Sequence, residues 1–222
     1  MARRSKVVAA PVEKGLLAAT GLTLWRGTTL LFDELALQLA PGEVLLVQGA
    51  NGVGKTSLLR VLAGLTEPDA GDVTWQGRPL RSAIRTGSLR LSFAGHNLAL
   101  KLELTARENL QFHARLVGGD PAAGPAIDEV LAATGLTDCA GLPVRLLSAG
   151  QKRRVSLARV LLSGSGFWLL DEPQTNLDAA GREFLARTLT AHLERGGMLA
   201  LAAHEPIALG SHPTTRLTMG VG

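Results

Sequence analysis

The chain has one cysteine, Cys139, and no tyrosine in 222 residues. A lone cysteine excludes an internal disulfide framework and any multi-cysteine metal site, and it fits a reducing compartment. Cys139 itself reads as a small core residue. Aromatics make up only 4% of the chain, a poor basis for stacking nucleobases. The net charge of +4 and the pI near 9.8 come from scattered basic residues. They point to a basic face for a protein partner or anionic head groups, and no nucleic-acid partner is expected. No run approaches the ~18 uninterrupted apolar residues of a membrane helix; the best stretches, Val44 to Val47 and Phe167 to Leu170, are strand-sized. Near the N-terminus, Arg3, Arg4 and Lys6 precede only a short apolar stretch before Glu13 and Lys14. A secretory signal would lack its apolar region, and residues 1–15 read as a flexible tail.

What is present suits one α/β domain: 46% apolar and 19% charged residues, at a length that supports a single sizeable core. Leu16 to Leu39 alternates imperfectly, with turn signals at Gly21 and Gly27, and reads as a small β region. Pro41-Gly42 then leads into the buried strand at Val44. Leu58, Leu59, Leu62 and Leu65 recur at helical spacing until Gly64 and the Pro68–Gly71 cluster stop the helix. Short strands are expected at Asp72 to Gly77 and Leu89 to Phe93. Thr105 to Leu116 begins with a capping box, Thr105 with Glu108. The pattern stays helical to about Ala149, broken by a loop at Gly118 to Pro125, which marks a helical insertion. Helices at Gly150 to Leu162 and Asp178 to Glu194 then alternate with strands at Phe167 to Leu170 and Met198 to Ala202.

Three segments carry chemistry. Gly49-Ala50-Asn51-Gly52-Val53-Gly54-Lys55-Thr56 fits G-x-x-x-x-G-K-[ST] and sits between a buried strand and a helix, as a phosphate loop must. Its glycines let successive N–H groups wrap an anion at the positive end of a helix, with Ser57 continuing that first turn. Lys55 reaches the β and γ phosphates, and the Thr56 hydroxyl can ligate Mg²⁺. Second, the apolar run Phe167 to Leu170 delivers Asp171 and Glu172 at a strand end. There Asp171 can hold Mg²⁺ while Glu172 polarises the water that attacks the γ-phosphorus. Third, Leu147-Ser148-Ala149-Gly150-Gln151 opens a helix twenty residues before Asp171. Alone it could be a simple N-cap; with the others it is a second anion-binding helix start in one chain.

Together with Asn176-Leu177-Asp178 and His204, these segments resemble an ABC ATPase domain over nearly the whole chain, from about Leu16 onward. The resemblance implies a P-loop NTPase fold with a parallel core sheet, a small antiparallel β subdomain and a helical insertion. Residues 16–222 would form the ATPase domain, and about 97–150 its helical subdomain. It implies ATP and Mg²⁺ as cofactors, and a head-to-tail homodimer in which the signature Leu147 to Gln151 acts on the other protomer's nucleotide. Asn176 to Asp178 would be the D-loop and His204 the switch histidine, with Glu172 and His204 catalytic. His113, His192 and His212 read as ordinary structural histidines. Two positions depart from the family pattern. His96 occupies the Q-loop glutamine position, which puts Mg²⁺ ligation there in doubt. The adenine-stacking aromatic is replaced by Arg26, with Trp25 one step earlier, and either could stack on adenine.

Gly95-His96, Trp75-Gln-Gly77, Ser57-Leu-Leu-Arg60 and Pro143-x-x-x-Leu147-Ser-Ala-Gly-Gln151 with Arg153 and Arg154 resemble the CcmA family, ATPase subunits of the haem exporter of cytochrome c maturation. Gln174 is a minor departure. This resemblance implies membrane partners CcmB, CcmC and CcmD, and ATP-driven release of the haem-loaded chaperone CcmE. The chain would sit on the cytoplasmic side of the inner membrane, held there by its partners. No Cys-x-x-Cys-His occurs, and direct haem binding is not expected. The rivals are the ATPase subunit of another transporter, for lipids, peptides or metal chelates, and a soluble ABC protein acting on nucleic acid or ribosomes. The latter class carries tandem ATPase domains or long coiled coils, which are absent here.

Overall fold

The structure, a computed structural model, describes residues 15–117 and 127–220. The tail up to residue 14 and the expected loop at Gly118 to Pro125 lie outside the described residues. In chain order the elements are β1 (Leu17–Arg26), β2 (Thr29–Leu39), β3 (Val44–Gln48), α1 (Lys55–Leu62), β4 (Ala70–Trp75), β5 (Arg78–Pro79), α2 (Leu80–Arg85) and β6 (Leu91–Ala94). They continue with α3 (Ala106–Leu116), α4 (Ile127–Ala133), α5 (Ala149–Leu162), β7 (Phe167–Asp171), α6 (Ala179–Glu194), β8 (Met198–Ala202) and β9 (Thr214–Thr218).

Five parallel strands in the order β6-β7-β8-β3-β9 form the main sheet, and β2-β1-β4-β5 form a smaller antiparallel one. The three central strands, Val-Leu-Leu-Val-Gln, Phe-Trp-Leu-Leu-Asp and Met-Leu-Ala-Leu-Ala, are apolar nearly throughout because both faces are covered. Their period-2 alternation splits them between two cores. Leu45, Val47, Phe167 and Leu169 pack with Leu58, Leu59 and Leu62 of α1. Val44, Leu46, Trp168 and Leu170 pack with Leu157 and Val160 of α5 and Leu185 and Leu189 of α6. Each fully buried leucine contributes on the order of 1.5–3 kcal/mol, which fixes α1, and hence the loop preceding it, against β3.

A third core joins α3, α4 and the start of α5 through Leu110, Leu131, Leu136, Val144 and Val155. Cys139 is buried within it, as expected of a small core residue. The capping box of Thr105 and Glu108 forms as anticipated.

Several local expectations are corrected. Gly21 is not a turn but a bulge inside β1, where the register shifts between Ala19 and Leu22. The hairpin turn is at Gly27, whose φ is +60°. Helix α1 ends at Leu62, with Gly64 in the left-handed region at φ +69°, so Leu65 lies past the helix and is exposed. Between α4 and α5 the chain makes two short 3-10 turns, at Thr137–Cys139 and Val144–Leu146, rather than continuous α-helix. Strand β9 and helix α2 had no sequence signal strong enough to be anticipated.

Candidate nucleotide-binding and hydrolysis site

The glycine loop, His96, Asp171-Glu172 and His204 lie at the C-terminal ends of the parallel strands, where ligands bind in open α/β sheets, whereas Leu147 to Gln151 opens α5 and lines no part of that cavity. The loop after β3 carries Gly49 to Gly54. The loop after β6 carries His96, the end of β7 carries Asp171 and Glu172, and the segment after β8 carries His204.

Gly49, Gly52 and Gly54 have φ of +142°, +84° and +103°, conformations that side-chain-bearing residues rarely adopt. A Cβ on Gly49 would stand 2.4 Å from the Met219 carbonyl oxygen. Helix α1 starts from Gly54 with no side-chain cap and no acidic residue in its first turn, which leaves an electropositive helix start facing the loop. Lys55 is buried at 5% exposure. Its Nζ donates to the carbonyls of Gly49 (2.8 Å) and Ala50 (2.9 Å), so the ammonium is held inside the loop; Val53 is buried there too, whereas Asn51 is exposed. Thr56 Oγ1 donates to Asp171 Oδ2 at 2.6 Å. These are two hard oxygen ligands at one point, a fit for Mg²⁺ that keeps several of its waters. Among the described residues no three His, Cys, Asp or Glu side chains are grouped to hold a metal, so the remaining ligands would come from water and phosphate.

Glu172 stands at φ +49°, a strained conformation for a residue with a Cβ. Its N–H donates to the Ala202 carbonyl at 2.8 Å, which fastens β7 to β8. One carboxylate oxygen, Oε1, lies 2.9 Å from His204 Nε2. The Thr175 hydroxyl donates to Oε2 at 3.5 Å.

Arg26, Asn51, Lys55, Thr56, His96 and Glu172 line one cavity of about 300 Å³ with Gly52, Gly54, Ser57 and Asp171. His96 also lines an adjoining cleft of about 580 Å³ that reaches Arg60, His113 and Arg159. It therefore stands between the phosphate loop and the helical segment. Of the two adenine candidates, Arg26 lines this cavity and Trp25 does not; the Trp25 side chain is exposed, and its backbone N–H donates to Asp69 Oδ2 at 2.7 Å.

Ser148 caps α5 in a complete capping box: its Oγ accepts the Gln151 N–H at 3.1 Å, and Gln151 Oε1 accepts the Ser148 N–H at 2.9 Å. The Ser148 hydroxyl keeps its own proton to donate, and Ser148 and Ala149 are exposed. Gly150 packs against the backbone of Asn176, where a Cβ would stand 2.8 Å from the carbonyl oxygen. Leu177 is buried. Asp178 caps α6 through the Gly181 N–H at 2.8 Å and accepts from Arg154 at 2.7 Å.

Arg153 entered the sequence reading only as part of the family pattern, with no place in the site. It is buried at 4% exposure and bonds the backbone beside both Glu172 and His96. The available signal was its place on the apolar stripe with Leu157 and Val160, four and seven residues on.

The chain is similar to known proteins in sequence and in fold. The ABC transporter family matches residues 32–175. Cytochrome c biogenesis ATP-binding export proteins CcmA are similar along nearly their whole length. That of Pseudomonas aeruginosa is 43% identical over 91% of this chain and 99% of its own. One from Cupriavidus metallidurans is 43% identical over 93% and 99%, and one from Escherichia coli 42% identical over 92% and 97%. In fold, the chain superposes with TM-score 0.80 on the ATP binding subunit of an ABC transporter, at 21% identity over 92% of this chain and 85% of that one. A putative ABC transporter ATP-binding protein from Pyrococcus furiosus gives 0.75, at 21% identity over 92% and 97%.

Proposed function

The chain belongs to the ABC transporter family, and within it to the CcmA ATP-binding export proteins of cytochrome c biogenesis; from that premise we propose that it hydrolyses ATP to drive the haem exporter of cytochrome c maturation. The observation that carries the hydrolytic half is the Glu172–His204 pair beside the phosphate loop.

In this reading the N–H groups of Gly52 to Ser57 and the Lys55 ammonium hold the β and γ phosphates. Arg26 stacks on or flanks the adenine. Thr56 and Asp171 hold Mg²⁺, which when bound neutralises phosphate charge. Glu172 accepts a proton-side hydrogen bond from the attacking water through its carboxylate, and His204 keeps that carboxylate aimed. Glu172 directly follows the end of β7, and His204 lies just past the end of β8. Ser148 to Gln151 of a second protomer, led by the exposed Ser148 and Ala149, completes the site, so ATP binding and head-to-tail dimerisation are one event.

In this reading the chain is held at the membrane by its partner subunits. Among the described residues no helix is long and apolar enough to cross a bilayer. The helical segment, about 97–150, is the surface for the integral subunits CcmB, CcmC and CcmD, from the cytoplasmic side of the inner membrane. Hydrolysis then releases haem-loaded CcmE on the far side, with no haem bound by this chain. The test is purification of the tagged chain from membranes of its source. CcmB, haem-bearing CcmC and CcmE are expected alongside it; an unrelated permease in their place would overturn the assignment.

A further inference from the structure

Among the described residues the side chain of Arg153 has no carboxylate partner in its hydrogen-bonding shell. It points into the protein and bonds backbone there. Nη2 donates to the carbonyls of Asp171 (2.7 Å) and Glu172 (2.5 Å), Nε to that of Pro173 (3.3 Å), and Nη1 to that of Gly95 (3.1 Å). One rigid guanidinium fork thus joins three pieces of chain: the first turns of α5, the end of β7, and the residue preceding His96.

Arg153 sits only two positions past Gln151. The same helix start is fastened to the same strand-end segment twice more, by Gly150 against the Asn176 carbonyl and by Arg154 on Asp178. The Glu172 backbone is meanwhile gripped on both sides, its carbonyl by Arg153 and its N–H by the Ala202 carbonyl. Those two grips hold it at φ +49°, and that backbone angle sets where the carboxylate points. A small displacement of α5 therefore reaches the Glu172 carboxylate and the His96 loop through one side chain. Burial lowers the Arg153 pKa from the ordinary guanidinium value, a desolvation cost that a purely apolar contact would avoid.

We propose that Arg153 is a positioning residue that relays the seating of Ser148 to Gln151 on a second protomer's nucleotide to the Glu172 carboxylate and His96 loop of its own protomer. Hydrolysis at each nucleotide then depends on engagement at the other. The proposal rests on the reading of Ser148 to Gln151 as the segment that completes another protomer's site.

The test compares the parent chain with Arg153→Lys and Arg153→Gln. Affinity for a fluorescent ATP analogue should stay within about twofold, and each substitution combined with Glu172→Gln should still give a dimer with ATP. The kcat should fall about 10- to 100-fold, because small misplacements of a reacting group have such effects. The Hill coefficient for ATP should drop to about 1. Lysine should not rescue, since a single ammonium cannot span four carbonyls. Unchanged kcat and Hill coefficient would overturn the proposal, and so would a parallel loss of ATP affinity and dimerisation, which marks a plain scaffold residue. Failure of Glu172→Gln to dimerise with Arg153 intact would instead overturn the composite-site reading beneath it.

If both substitutions unfold the chain, hydrogen exchange decides. In the Glu172→Gln chain with saturating ATP, amides of residues 95–97 should become protected as protein concentration crosses the dimerisation midpoint. Protection independent of concentration would overturn the relay.

Discussion

His204 Nε2 lies 2.9 Å from Glu172 Oε1, bringing an imidazole from beyond β8 onto a carboxylate from the end of β7. The other oxygen, Oε2, has only the long contact of 3.5 Å from the Thr175 hydroxyl. The imidazole is half exposed and the carboxylate less so. A group that orients a catalytic carboxylate commonly contributes about 10² in rate. His204→Ala should therefore lower kcat by about that factor while ATP affinity stays near the parent value, as measured by steady-state turnover and equilibrium binding. Equal turnover would remove His204 from the mechanism.

Lys55 is satisfied without ligand by the carbonyls of Gly49 and Ala50, so its removal opens the loop and also deletes the cation nearest the phosphates. Lys55→Ala should weaken ATP binding by at least about tenfold. Titration with a fluorescent analogue checks this, and unchanged affinity would contradict the phosphate-loop assignment.

Gly71 has φ +83°, and a Cβ there would stand 2.3 Å from the carbonyl oxygen of Gly21 across the β1 bulge. Gly71→Ala should destabilise the chain by about 2–4 kcal/mol, lowering Tm by about 5–15 °C. A Tm within a degree of the parent would mean that the bulge and its facing strand separate at little cost.

His192 is buried, stacked on Trp168 with ring centroids 3.7 Å apart, and desolvation pulls its pKa down to about 4. Its neutral form is favoured by folding, so its contribution is fully present above the ordinary imidazole pKa of ~6.5 and is lost as pH falls from there towards 4. His113, lining the cleft, is pushed down to about 4 by desolvation and then by Arg159, and acts in the same direction. Thermal midpoints should fall across that window. His192→Phe, which keeps a ring on Trp168 but cannot titrate, should flatten the decline.

The site was legible where its chemistry is written in contiguous residues. Gly49 to Thr56, Asp171-Glu172 and Ser148 to Gln151 each carry their own glycines, carboxylates or cap, and each lies at a strand or helix end. The bulge at Gly21 was not legible, since a glycine in a strand pattern looks the same as a turn until its partner, Gly71, is known. Strand β9 is Thr-Thr-Arg-Leu-Thr and mostly exposed; its place comes from parallel pairing with β3 rather than from an apolar pattern. Arg153 is the clearest case. Its acceptors are carbonyls, which have no side-chain identity, at 18 to 58 residues' separation. Which of Trp25 and Arg26 lines the phosphate-loop cavity likewise depends on the strand's alternation, because adjacent side chains leave opposite faces.

In the proposed cycle ATP joins two copies of this chain, and a water polarised by Glu172 then displaces ADP from the γ-phosphorus. The direct measurement is size-exclusion chromatography of Glu172→Gln with Mg²⁺ and ATP, beside the parent chain and a phosphate-release assay. A stable ATP-bound dimer with phosphate release reduced at least about 10²-fold is expected. A monomer at saturating ATP, or turnover equal to the parent, would contradict the account.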